Sequence, residues 1–257
     1  MVLQAESPYP AAEPSEGANV AERVAASLRE EIADGEWPVD TMLPAEHQLM
    51  QRFCISRPSC REALRILQSE GLVKVERGSR GGARVTLPDA ERIADYSAVF
   101  LQMRNATISE VFETRVVIEA AAVVALTRRR SPEILSQLAQ NVASQRYLLH
   151  DRPAFYRRNR EFRHILIENC GSESLRMMGL VIGGIADRQL SKISIQLPAA
   201  ADQEEQFLEA THMKERMIRA IERGDSEAAA DMWRAYLRGY LDSLREIVPD
   251  LRCQVPV

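Results

Sequence analysis

LPAEHQLMQRFCISRPSCREALRILQSEGLVKVERGSRGGARV, residues Leu43 to Val85, is the stretch from which the rest of the chain can be placed. Ala45 to Ile55 has the length and pattern of a short helix followed by a tight turn. Ser56 is a good N-cap for a second helix, with Arg57 and Pro58 in its first turn, where proline's missing N–H costs nothing. Ser59 to Glu62 could equally form a capping box, which leaves the start open by one turn. At 3.6 residues per turn, Cys60, Ala63, Leu64 and Leu67 share one face, and Arg57, Arg61 and Arg65 run along the other. The helix stops at Glu70-Gly71-Leu72, where glycine allows the chain to turn away.

Leu72-Val73-Lys74-Val75-Glu76 then alternates as a half-buried strand does, and the Gly/Arg-rich run from Arg77 to Val85 carries the chain back beside it. With a helix expected at about Val20 to Ala33, the order is helix, short helix, tight turn, longer helix and strand pair. That is a winged helix-turn-helix, whose second motif helix lies in a DNA major groove. Charge agrees with this. Thr41 to Thr86 carries 8 Arg+Lys against 4 Asp+Glu, while the whole chain has a net charge of −4. A basic island in an acidic protein marks a module that meets phosphates. Arginines spaced four apart also describe an ordinary solvated helix face, and a Gly/Arg loop an ordinary hairpin tip. The helix and turn before, and the glycine stop after, favour DNA. The loop is no nucleotide site: it lacks the Lys-Ser/Thr pair of a P-loop, and no helix follows its glycines.

These residues resemble the DNA-binding domain of the GntR superfamily of bacterial transcription regulators. The matching pieces are Leu43-Pro44-Ala45-Glu46, Ser56-Arg57, Arg61-Glu62-Ala63-Leu64 and Glu70-Gly71-Leu72. The resemblance implies that Arg57 and Arg61 touch bases or adjacent phosphates, flanked by Ser56 and Ser59. It implies that His47 sits where a backbone-contacting residue usually lies, and that the wing with Arg77, Gly78, Arg80 and Gly81 reaches the minor groove. One departure stands out. The family usually has Thr-Pro or a similar pair after the Ser-Arg, whereas this chain has Pro58-Ser59, so a hydroxyl at position 58 is lost and Ser59 is the nearest replacement.

At 257 residues the chain suits two domains of roughly 70 and 160 residues. Residues 1–17 are Ala/Glu/Pro-rich and acidic, and read as a disordered leader rather than a signal peptide. Residues 18–87 form the winged domain, closed by Pro88-Asp89, and residues 88–250 form the second. Hydrophobic residues make up 46% of the chain, without a run of 18 apolar residues, so no membrane span is expected. Cys54, Cys60, Cys170 and Cys253 lack CxxC spacing, which fits a reduced cytoplasm and gives no zinc finger.

From Ala90 onward the pattern is helical throughout. The expected helices are Ile108 to Arg128, Pro132 to Leu149, Pro153 to Glu168, Ser172 to Ser191, Asp202 to Arg223 and Ser226 to Ile247. Together they make a bundle of six or seven members, so the fold class is mostly α, with a small β wing. Leu87 to Val257 carries 23 basic and 24 acidic residues, which argues against a second nucleic-acid surface.

This part resembles the ligand-sensing, FCD-like domain of the FadR-type branch of the same superfamily, over about Ile108 to Val248. The matching pieces are Val111-Phe112-Glu113-Thr114-Arg115 with Glu119, Phe162, Gly171-Ser172, His212 and Ala220-Ile221-Glu222-Arg223-Gly224-Asp225. Many members of that branch hold a divalent metal with an Asp, a His four residues later and two more His. Here Asn159 stands for the Asp, Arg163 for the first His and Tyr236 for the last, leaving His212. One imidazole and an amide cannot compete with water for a metal that wants three or four good ligands. His164 is one residue off, about 100° round the helix. No metal and no other cofactor is therefore expected.

An arginine where a metal would lie can itself bind an anion, because its planar fork matches a carboxylate. The resemblance adds Arg115 as a second pocket cation, with Asn159, His212 and Tyr236 as neutral partners. Two alternatives stay open: pairing of Arg163 with an internal Glu such as Glu119, which fills the cavity, and a plain bundle role for His212. Three function classes follow. The first is an effector-controlled regulator, by preference a repressor, acting as a homodimer on an inverted-repeat operator in double-stranded DNA and answering a small organic anion. The second is an architectural DNA-binding protein without effector. The third, an enzyme, finds no carboxylate pair, nucleophile motif or cofactor lysine among Lys74, Lys192 and Lys214.

Overall fold

The computed structural model describes residues 16–76, 81–196 and 203–247. The chain divides into two compact units, Met1–Asp89 and Ala90–Val257. In the first, α1 (Glu16–Ala33), α2 (Glu46–Phe53) and α3 (Arg57–Ser69) precede an antiparallel ribbon of β1 (Val73–Glu76) and β2 (Gly82–Val85). The ribbon pairs Val73 with Val85 and Glu76 with Gly82. Ala21, Val24, Ala25 and Leu28 of α1 pack against Leu49, Cys60, Ala63, Leu64 and Leu67, and Val73, Ala83 and Val85 close the core.

The ends of α3 follow from its residues. Ser56 Oγ accepts the Ser59 N–H at 3.4 Å, so the helix begins at Arg57 rather than one turn later. At the other end Gly71 adopts φ 78°, while Gly71 N–H reaches Gln68 O at 3.1 Å and Leu72 N–H reaches Leu67 O at 3.0 Å. These two reversed bonds satisfy carbonyls that the helix would otherwise leave open. Cys54, also left-handed at φ 51°, makes the sharp turn between α2 and α3. Glu31 on α1 ties that turn down, accepting from Arg52 Nη1 and Nη2 at 2.9 and 2.7 Å and from Trp37 Nε1 at 2.9 Å. Residues 1–15 of the expected leader and the wing tip with Arg77, Gly78 and Arg80 lie outside the described residues, as does Cys253.

The second unit is helical among the described residues: α4 (Ala90–Met103), α5 (Ile108–Arg129), α6 (Pro132–Gln145), α7 (Arg152–Glu168), α8 (Glu173–Gln196), α9 (Gln203–Arg223) and α10 (Ser226–Ile247). α4 adds to the six helices expected individually, and α6 ends four residues early, giving way to a 3-10 turn at Arg146–Leu148. Thr107 and Glu110 form a reciprocal capping box on α5, and Ser131 and Asp151 cap α6 and α7 just ahead of a first-turn proline. α5 is the central helix. Val116, Val123 and Leu126 face a cluster with Phe162, Leu166, Met217, Ile221 and Trp233, while Ile108, Val111 and Phe112 face a second with Ala94, Ala98, Ile185 and Leu241.

Candidate functional site

Two places hold the residues singled out from the sequence. On the first unit, α3 buries Cys60, Ala63, Leu64 and Leu67 and leaves Arg57, Arg61 and Arg65 exposed. Arg61 Nε lies 3.2 Å from Glu46 Oε2, with the side chains 63% and 40% exposed. A pair that wet contributes little, so a phosphate or base edge can replace the carboxylate at small cost. His47 is exposed on α2. Ser56 and Ser59 hydroxyls lie 2.9 Å apart at the start of α3, and Gly81 is exposed just before β2. Arg84, by contrast, is spent internally: it binds Glu76 Oε1 at 2.9 Å and donates to Asp40 O at 2.6 Å, bracing the base of the wing.

On the second unit, α5, α7, α8 and α10 enclose a cavity of about 280 Å³. Arg115, Asn159, Arg163 and Tyr236 all line it, each from a position that its helix periodicity turns inward. Both arginines are buried and already have carboxylate partners. Arg115 Nε binds Glu119 Oε1 at 2.8 Å, and Glu119 Oε2 accepts from Trp233 Nε1 at 3.0 Å. Arg163 Nη2 binds Asp187 Oδ2 at 2.6 Å and its Nη1 donates to Gly179 O at 3.3 Å, while Arg160 Nε approaches the same Asp187 oxygen at 3.3 Å. The internal partner of Arg163 is thus Asp187, and Glu119 serves Arg115. Tyr236 Oη donates to Asn159 Oδ1 at 2.9 Å, and burial pushes the phenol well above its ordinary pKa, so it stays neutral.

The cavity wall is rich in arginine. Arg115, Arg152, Arg157, Arg160 and Arg163 line it, and among the described residues Asp187 is its one lining carboxylate, with Glu119 behind Arg115. Trp233, Tyr156 and Tyr240 supply aromatic wall. This suits an anion with an apolar body. It does not suit a divalent metal. Asn159 is engaged by Tyr236, Arg163 would repel a cation, and among the described residues no three His, Cys, Asp or Glu side chains gather to hold one.

His212 is a correction to the sequence reading. It is exposed on α9 and takes no part in the cavity wall. Lys214, two residues and about 200° further round the helix, is the one that points inward. It is 0% exposed, and its Nζ donates to Gln145 Oε1 at 2.8 Å. Gln145 Nε2 in turn donates to Asn141 Oδ1 at 2.8 Å. Tyr236, Phe155 and Phe162 rings stand 5.0, 5.4 and 5.6 Å from Nζ, and burial brings its pKa down to about 7. A signal for it was present: Phe207, Thr211, Lys214, Ile218 and Ile221 follow one helix stripe, with the lysine at its centre. Asp187 was likewise foreshadowed as a lone carboxylate after the apolar run Gly183-Gly184-Ile185-Ala186.

Comparison with known proteins adds to this geometry. Residues 20–85 match the family described as bacterial regulatory proteins, gntR family, and residues 110–239 match the FCD domain family. The HTH-type transcriptional repressor NanR of Klebsiella aerogenes is 31% identical over 156 residues, 60% of this chain and 59% of that protein. NanR of Cronobacter sakazakii is 34% identical over 148 residues, 56% of this chain and 54% of that one. The matches thus span between half and two thirds of these relatives. A solved structure of Streptococcus agalactiae GntR shares the fold at a TM-score of 0.67 and 21% identity, covering 87% of this chain and 99% of that one. Among the described residues no helix is long and apolar enough to cross a membrane.

Proposed function

This chain belongs to the GntR family of bacterial regulatory proteins and carries an FCD domain, and on that premise we propose that it is a sequence-specific DNA-binding transcription repressor controlled by a small organic acid. The observation that carries the DNA reading is α3, whose apolar stripe is wholly buried while Arg57, Arg61 and Arg65 face solvent. Arg57 and Arg61 read bases or flanking phosphates, His47, Ser56 and Ser59 fix the backbone, and the wing residues Arg77, Gly78, Arg80 and Gly81 approach the minor groove. The relatives named as repressors support repression over activation. The protein performs no catalysis and works in the cytoplasm, beside its DNA.

The cationic cavity supports the effector reading. An acid bound there biases the placement of the DNA-binding units, a coupling of about 1–3 kcal/mol being typical. A homodimer reads an inverted repeat because a two-fold protein reads a two-fold site. Its contact includes α4, where Tyr96, Phe100 and Met103, at i, i+4 and i+7, are 76%, 63% and 78% exposed, an apolar stripe that a second copy covers. Footprinting on genomic fragments tests the proposal. A sharp palindromic footprint released by a small carboxylate supports it, whereas diffuse protection along any DNA favours an architectural protein.

A further inference from the structure

An acid reaching the inner wall of the cavity meets Arg115 and Arg163, each of which already has a carboxylate partner. For the charge of Arg115 or Arg163 it must compete with Glu119 or Asp187, carboxylates already paired in a dry interior. Lys214 presents the opposite situation. Among the described residues it has no carboxylate partner; its ammonium has one neutral acceptor, Gln145 Oε1, and aromatic faces on its other sides. An anion there would complete a charge rather than compete for one.

Tyr236 connects the two places. Its ring is a wall of the cavity and also stands 5.0 Å from Lys214 Nζ, and a single hydrogen bond to Asn159 Oδ1 holds its hydroxyl. Resting on the reading of this cavity as an anion site, we propose that Lys214 holds the acid group of a small carboxylate, admitted when Tyr236 turns away from Asn159. The aromatic side chains of the cavity carry the remainder of the molecule. The cationic rim attracts the acid, and Lys214 retains it.

The proposal makes binding proton-linked. Alone, Lys214 titrates near 7; a carboxylate beside it favours the charged form and raises that value. Binding above pH 7 therefore takes up a proton, and affinity falls as pH rises. Among the described residues facing Nζ, α6 brings Gln145, α7 brings Phe155 and Phe162, and α10 brings Tyr236. Only Tyr236 titrates, and it stays neutral through this range.

The test is calorimetric titration of the full-length protein with acetate, pyruvate and benzoate, and with benzamide as an uncharged isostere. It is run at pH 7.0 and 8.5, and at pH 8 in two buffers of different ionisation enthalpy. We expect at least one carboxylate to saturate, with uptake of close to one proton per site at pH 8 and affinity roughly tenfold lower at pH 8.5 than at 7.0. Lys214→Met should lose at least tenfold in affinity together with the pH dependence. Carboxylate binding without proton uptake by the unaltered protein overturns the proposal, whatever the variant does. So does unchanged binding and pH dependence in Lys214→Met; in these two cases the cavity can still be an anion site, whereas benzamide binding as tightly as benzoate removes the anion site altogether. Failure of all three carboxylates to bind sinks both readings.

Discussion

A Cβ on Gly183 would fall inside the Arg163 guanidinium. The absent side chain of α8 is therefore the space that the buried arginine of α7 fills. Gly179, Gly183 and Asp187 recur every four residues along one face of α8: the first offers its carbonyl to Arg163, the second its empty space, and the third its carboxylate. Gly183→Ala should accordingly destabilise the protein by about 1–3 kcal/mol through overpacking, seen as a lower midpoint in thermal or urea unfolding. An unchanged midpoint would mean that the guanidinium has another place to go.

Arg57→Ala and Arg61→Ala should each lower specific DNA affinity by about 1–3 kcal/mol, measured by mobility shift at fixed salt. Glu46→Ala, which removes the exposed partner of Arg61, should leave affinity unchanged or slightly raised. Full affinity in Arg61→Ala would put the docking face elsewhere.

Stability of the first unit should depend on pH through Glu31. Burial alone would raise its pKa, but hydrogen bonds from Arg52, Trp37 and Ser27, with the Arg52 charge, hold it below its ordinary value of 4.5. A depressed folded-state pKa means that its contribution is complete above the unfolded value and is lost as pH falls through the folded one. Unfolding of the wild-type chain should therefore show an acid-side decline that is shallower in Glu31→Gln. At neutral pH that variant should cost about 1–3 kcal/mol.

Charge on the exposed stripe of α4 should weaken self-association. Phe100→Asp in the full-length chain should shift sedimentation toward the monomer at micromolar concentration and weaken operator binding with it. A variant that stays fully dimeric would show that a different surface makes the contact.

Chelator treatment should leave the melting temperature unchanged, and elemental analysis should find zinc, nickel and manganese well below one per chain. A stoichiometric, tightly held metal would contradict the donor set of Asn159, Arg163 and Tyr236.

Four of the five residues assigned to the cavity from the sequence, Arg115, Asn159, Arg163 and Tyr236, do line one cavity, because the helical period reveals which side of a helix turns inward. His212 lies outside that wall, exposed on α9 and about half a helical turn from the buried Lys214. The expected helix through Leu149 ended at Gln145, where a 3-10 turn over Arg146–Leu148 takes over, helix ends being where the last turn often tightens.

What the sequence by itself determined about this protein is local: the Ser56 cap, the Gly71 stop, the buried and basic faces of α3, and the change from strand period to helix period at Pro88-Asp89. Each depends on residues within a turn or two of one another, where backbone geometry dictates the outcome. Apart from the local pair Arg115–Glu119, the polar partners of the buried site were decided only by tertiary structure. Asp187 is 24 residues from Arg163, Gln145 is 69 from Lys214, and Glu119 is 114 from Trp233. Periodicity tells which face is covered, but the packing of one helix against another selects the group that covers it. In a dry interior that choice separates an arginine paired with a carboxylate from a lysine whose acceptor is a neutral amide.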